Sequence, residues 1–107
     1  MTMNEVTLSV DDEGIWRSDS GGSHFGIKWL EICGISGYTM SYDGNPEVEL
    51  EFDFYYGESF RVNETWTGFE KVIDAINKRS MFRESQWFQK IKSVGENDEI
   101  YQIWQKS

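Results

Sequence analysis

Four carboxylates stand two residues apart in one run of the chain: Glu47, Glu49, Glu51 and Asp53, alternating with Val48, Leu50, Phe52 and Phe54. Carboxylates at such spacing can do three kinds of chemistry. Two of them can work as a general acid and base, several can bind a hard cation, or the whole row can present negative charge to a basic partner. As a strand the run places all four acids on one face and all four apolar residues on the other. Successive acids on a flat strand diverge from any common point, whereas calcium or magnesium needs six or more converging oxygens. The third use therefore leads, and a plainly solvated face competes with it. Same-face neighbours lie roughly 6.7 Å apart, so each adjacent pair repels by about 0.6 kcal/mol in water. Cross-strand cations or a partner must offset this.

Other groups offer less. Zinc bound by His and Cys needs several ligands, and the chain has one of each, His24 and Cys33. The same two could make a nucleophile and its base, but a small buried cysteine and a loop-edge histidine are the commoner explanation. Gly21-Gly22 sits in a Ser-rich stretch with no helical pattern after it, so it is no phosphate loop. No cofactor, metal or catalytic residue is expected, and the chain does not read as an enzyme.

The elements that must hold the acid row come from the period of the pattern. Strands are expected over residues 5–10, 15–17 and 24–29, and a bent or bulged strand within 30–40, where Gly34 and Gly37 interrupt the apolar pattern. Residues 42–46 form a turn, and Pro46 is expected only at the first position of the strand that follows. The acid strand, 47–54, then turns through Tyr55-Tyr56-Gly57 into a partner strand, 58–62. A three-residue loop sets Phe52 opposite Phe60 and Leu50 opposite Val62 inside, with Glu51 opposite Arg61 and Asp53 opposite Ser59 outside. A two-residue loop would set Phe52 against Arg61 and mix the faces.

Beyond Asn63 the period changes to that of a helix. Phe69, Val72, Ile73 and Ile76 share a face, Thr67 and Glu70 have the spacing of a capping box, and Lys78-Arg79 suit the C-terminal end. A second, shorter helix is expected over 84–92, with Trp87, Phe88 and Ile91 on one side. Residues 100–105 could be helix or strand. β-branched and aromatic enrichment after a polar loop favours strand. The expected fold is α+β: a single domain over 1–107, with an antiparallel curved sheet or partial barrel of about six strands, then one or two helices and a short terminal strand.

Charge and cysteine usage bound the partners. The net charge is −9. Residues 1–64 carry thirteen acids against Arg17, Lys28 and Arg61, while residues 65–107 carry six acids against seven bases. The strand-forming part thus repels nucleic acid and anionic membrane and attracts basic proteins. One cysteine, no signal-peptide pattern and no apolar run long enough to span a membrane point to a cytoplasmic protein.

Gly14-Ile15-Trp16, Ile27-Lys28-Trp29-Leu30-Glu31-Ile32, Gly68-Phe69 ahead of a helix, and Ile103-Trp104-Gln105-Lys106 together resemble short bacterial domains of pleckstrin-homology-like layout. Among these are immunity proteins of contact-dependent inhibition and other polymorphic toxin systems, which are small, acidic and single-domain. The resemblance implies a cytoplasmic protein that binds a cognate toxin domain, often a basic nuclease, and blocks its active site or substrate groove. A lipid role is not implied, because the strand half lacks a basic pocket for phosphoinositides. On this reading Glu47, Glu49, Glu51 and Asp53 supply the field, joined by Asp43 and Glu58, with Tyr55, Tyr56 or Tyr42 as anchors. Packing of the tyrosines across their own hairpin is the alternative. A non-enzymatic scaffold domain with another partner is the second functional reading, and a small enzyme using paired carboxylates the third. Oligomeric state is not legible.

Overall fold

The alternating run folds as the longest part of a β-hairpin that anchors the second of two sheets. The computed structural model describes residues 6–19, 21–22, 24–42, 44–79, 87–94 and 100–105. In chain order these form β1 (Val6–Val10), β2 (Gly14–Asp19), β3 (His24–Lys28), a 3-10 turn (Trp29–Glu31), β4 (Ile32–Tyr42), β5 (Asn45–Phe54), β6 (Ser59–Asn63), α1 (Phe69–Lys78), α2 (Trp87–Val94) and β7 (Tyr101–Gln105). The α+β class and the strand-then-helix order agree with the sequence pattern. The strands, however, divide between two antiparallel sheets, one of order β1-β2-β3 and one of order β6-β5-β4-β7.

The division falls at the 3-10 turn. Trp29 is buried there, its amide donating to the Glu13 carbonyl at 2.9 Å and its indole N–H to the Asp11 carbonyl at 3.0 Å. These bonds hold the chain against the β1–β2 turn and redirect it into the second sheet. Inner faces of both sheets then supply one core: Leu8, Ile15 and Ile27 from the first, Ile35, Val48, Leu50, Phe52, Phe60 and Val62 from the second. Where β3 approaches β6, Phe25 meets Phe60 edge-on at 5.7 Å. Beside it the Arg17 guanidinium lies between the Phe25 and Trp66 rings, 4.8 Å from each.

The β5–β6 hairpin has the expected register, with Phe52 opposite Phe60, Leu50 opposite Val62, Glu51 opposite Arg61 and Asp53 opposite Ser59. Its loop is the three residues 55–57, closed by Phe54 N–H donating to the Glu58 carbonyl, with Gly57 at φ 95°. Pro46 is the second residue of β5, not the first. It is tolerated because even-numbered residues of β5 aim their N–H toward β6: Val48 N donates to Glu64 Oε1 and Phe54 N to the Glu58 carbonyl. The pairing with β6 runs only from Glu49 to Asp53, so the missing proton of Pro46 points past the ladder.

Helix α1 buries Phe69, Val72 and Ile76 as its period requires. Its N-terminus corrects an expectation, because Thr67 makes no capping bond. The Thr67 backbone instead bridges to β1 in parallel, its carbonyl accepting from Leu8 N at 2.7 Å and its N–H donating to the Val6 carbonyl at 3.2 Å. Gly68 then enters the helix at φ 92°, so close to β1 that an added Cβ would stand 2.2 Å from the Leu8 carbonyl oxygen. Helix α2 begins at Trp87, and residues 84–86 of the expected helix lie outside the described residues. It crosses the inner face of the second sheet over Gly37, where a Cβ would meet Ile91 Cδ1 at 2.5 Å, and Thr39 Oγ1 donates to the Ile91 carbonyl. Residues 101–105 are strand, pairing with β4. No helix among the described residues is long and apolar enough to cross a membrane.

Candidate protein-binding face

Because β5 lies between β4 and β6, its acid row occupies the middle of an outer sheet face and not an edge. Register assigns each carboxylate its neighbours. Glu47 faces Met40, Glu49 faces Tyr38 and Asn63, Glu51 faces Ser36 and Arg61, and Asp53 faces Gly34 and Ser59. All four acids are half-buried, and among the described residues no element packs over them.

Three neighbours offset the repulsion that the spacing creates. Arg61 Nε donates to Glu51 Oε1 at 3.1 Å, an ion pair whose arginine is 62% exposed and whose glutamate is 24% exposed. Such a solvent-screened pair contributes little to stability by itself. The stronger device is Asn63, which is 5% exposed. Its Nδ2 donates both to Glu47 Oε1 at 3.0 Å and to Glu49 Oε2 at 3.2 Å, so one neutral amide bridges two anions. Its Oδ1 accepts from Thr65 N at 2.8 Å and Thr65 Oγ1 at 2.6 Å, which fixes the amide orientation and starts the turn toward α1. Tyr38 OH adds a longer bond to Glu49 Oε1 at 3.4 Å. Burial, and then the Glu49 charge, hold this phenol above the usual tyrosine range.

Asp53 differs from its companions. Among the described residues no donor reaches its carboxylate, and burial followed by the Glu51 charge raises its pKa above the ordinary aspartate value. Its Oδ2 lies over Gly34, where an added Cβ would stand 3.4 Å from it and close to the Trp104 carbonyl and the Gln102 amide. At the same end the hairpin tip projects Tyr55 and Tyr56, 70% and 53% exposed. They also pack locally, as the alternative held: Tyr56 stacks on Phe54 at 4.9 Å, and Tyr55 meets Tyr56 edge-on at 5.0 Å. Glu58 is exposed beside them.

The structure thus brings Glu47, Glu49, Glu51, Asp53, Tyr55, Tyr56 and Glu58 along one face and its tip. Asp43 and the Tyr42 side chain lie outside the described residues, as does the His24 side chain. Cys33 is half-buried at the bulge where β4 pairs out of step with β5. Two contributors were missed in the sequence. Asn63 lies one residue beyond the expected partner strand, 58–62, although the 51:61 pairing extends to 49:63. Tyr38 falls in the stretch where Gly34 and Gly37 interrupt the apolar pattern, and the β4–β5 register shows that it stands outside with the acids.

Among the described residues, the clefts and the carboxylate of raised pKa lie apart. Clefts of about 430 and 450 Å³ flank Arg79, lined by Trp29 with Lys71, Asp74 and Lys78 on one side and Lys28 on the other. The carboxylate there that departs from normal is Asp11, held below the usual range by the Trp16 indole N–H and the Gly14 amide. That is a turn-stabilising acid and a poor proton carrier near neutrality. The raised carboxylate, Asp53, is on the open face and borders neither cleft. Among the described residues no three His, Cys, Asp or Glu side chains converge as a metal site would require.

The fold and face together define a two-sheet α+β domain carrying a hydrogen-bonded acidic surface. No family model matches the chain, and neither a curated protein nor a solved structure matches it.

Proposed function

We propose that the chain is an immunity-type protein that binds a basic toxin domain, such as a nuclease, through the outer face of its second sheet and neutralises it in the cytoplasm. One observation carries the reading: four carboxylates share an uncovered face on which, among the described residues, Arg61 is the one cation. Bridging by Asn63 and Tyr38 offsets the repulsion between neighbouring acids without importing positive charge. Such a surface can stand in for nucleic-acid phosphates before a cationic groove and steer association at an enhanced rate. The resemblance to small acidic immunity proteins points the same way.

The test is genetic and then physical. The gene immediately upstream is expected to encode a toxin domain, and co-expression of this chain is expected to rescue cells from it. Replacing Glu49 and Glu51 together by Lys is expected to slow association and to flatten its dependence on salt. An upstream gene without toxicity, or unchanged affinity and salt dependence in the double variant, refutes the proposal.

A further inference from the structure

Leu30 is 93% exposed, yet it is not on a loose loop. It is the middle residue of the 3-10 turn, after Trp29 (7% exposed) and two residues before Ile32 (2% exposed), both of which are in the core. The turn is pinned by the two Trp29 bonds to Glu13 and Asp11 and by Lys28 N donating to Glu31 Oε1 at 3.1 Å. A turn pinned at Trp29 and tied into the core again at Ile32 displays its leucine in one direction. It stands at the same end of the molecule as the hairpin tip: Ile32 pairs with Phe54. Partial desolvation among the rings and then the Glu58 and Glu31 charges hold the Tyr56 phenol above the usual tyrosine range, which sets both acids beside it.

Resting on the proposed function, we infer that Leu30, Tyr55 and Tyr56 form a preorganised apolar anchor that seats in a cation-rimmed apolar pocket of the same basic partner. The stack Phe54–Tyr56–Tyr55 already restrains the rings, so little rotamer freedom is lost on docking. Tyrosine at a projecting tip is a common centre of binding energy, and a neighbouring leucine enlarges the area that excludes water. Charge complementarity selects the occupant. Glu31 and Glu58 border the rings, while Lys28 and Arg79 line a cleft with Leu30; with a net charge of −9 the chain as a whole repels an anionic lipid surface and a second copy of itself. A partner pocket bordered by Lys or Arg satisfies both the apolar centre and the acidic rim.

The experiment uses the full chain and the purified product of the gene immediately upstream. Kd and rate constants are measured for wild type, Leu30→Ser, Tyr55→Ser and the Glu49→Lys/Glu51→Lys pair, across a salt series. All substituted positions of the anchor are exposed, and unchanged thermal unfolding confirms that the variants fold. Tyr55→Ser is expected to raise Kd at least tenfold and Leu30→Ser at least fivefold, both through faster dissociation, with the salt slope of wild type. If both stay within twofold of wild type while the charge-reversed pair binds weakly, the anchor is wrong and the acidic face stands. If wild type does not bind, or neither series changes affinity, the proposed function fails and the anchor with it. Sedimentation showing a dimer of the free chain that Leu30→Ser dissolves would make the occupant a second copy and overturn the inference.

Discussion

Asn63→Asp is the substitution that asks most directly whether the acid row depends on a neutral donor. Asp keeps the shape of the side chain and the Oδ1 acceptor that Thr65 uses at 2.8 and 2.6 Å, so only the donor end changes. That end lies 3.0 Å from Glu47 Oε1 and 3.2 Å from Glu49 Oε2, in a side chain only 5% exposed. Two charge-assisted hydrogen bonds, each worth about 1.5–3 kcal/mol, become two close repulsions. The new acid limits the damage by taking up a proton, which from an unfolded pKa of about 3.9 costs about 3.5 kcal/mol at pH 6.5 and about 1.5 kcal/mol at pH 5. Its folded pKa is raised above the unfolded one, so the folded state binds the extra proton. The variant's deficit is therefore small below the unfolded pKa and grows as pH rises through the interval between the two values. Urea unfolding should show a loss about 2 kcal/mol larger at pH 6.5 than at pH 5, relative to wild type at each pH. Asn63→Ala removes the donor without adding a titrating group, and its deficit should change by less than about 1 kcal/mol over the same interval. Equal deficits for Asn63→Asp at the two pH values, or a total loss under about 1 kcal/mol, would refute the account of Asn63 as the bridge between Glu47 and Glu49.

Two glycines separate backbone conformation from close approach: Gly57, at φ 95° with nothing within 4 Å, and Gly68, at φ 92° against the Leu8 carbonyl. Gly57→Ala should cost about 1–2 kcal/mol and Gly68→Ala about 3–5 kcal/mol by urea unfolding, the difference being loss of the β1 bridge, and equal values would sink the argument. Asp53→Asn removes an acid whose folded pKa is raised by burial and by Glu51. The wild-type group opposes folding increasingly as pH rises above its unfolded value, so the variant should gain stability over wild type near neutrality and lose that gain in acid; a gain that persists at low pH contradicts the assignment. Glu64 accepts from Val48 N at 2.8 Å and from Lys92 Nζ at 3.2 Å, joining β5 to α2. Glu64→Ala should lower stability by about 1–3 kcal/mol and speed amide exchange at Val48 selectively, whereas Lys92→Ala should do neither to a comparable degree.

Local arithmetic made the hairpin legible: only one loop length keeps Phe52 and Leu50 off the charged face, so composition and turn chemistry agreed on a register. Helix α1 was legible for the same reason, its apolar positions recurring at a period no strand can use. The failures arose where a distant partner decided the outcome. Thr67 and Glu70 have the spacing of a capping box, yet the Thr67 backbone is engaged by β1, sixty residues away in sequence, and Gly68 supplies the helix entry instead. The break into two sheets depends on Trp29 reaching back to Asp11 and Glu13, which no periodicity records. Tyr38 was hidden because Gly34, Gly37 and the bulge at the start of β4 blur its alternation, so its face could be fixed only by the pairing with β5.

How the acid row is stabilised also decides how it could be used. Asn63, Tyr38 and Arg61 already supply donors to Glu47, Glu49 and Glu51, so a partner's cations would have to exchange existing hydrogen bonds for new ones there. The net gain from such exchange is small, while the long-range field of the row survives, because two of the three donors are neutral. On the proposed function, the middle of the face would therefore govern how fast a basic partner arrives and contribute little to how long it stays. Asp53 breaks the pattern, since among the described residues it has no donor to exchange and stands next to the aromatic tip. Residence time should then be set at that end, which carries an uncommitted carboxylate, Tyr55 and Tyr56, with Leu30 on the turn that leads into the strand paired there. A partner complex whose dissociation rate responds to substitutions at residues 30, 53 and 55, and whose association rate responds to those at 49 and 51, is what this division of labour requires. The reverse pattern would show that the hydrogen-bonded acids are the recognition elements and the tip an ornament of the hairpin.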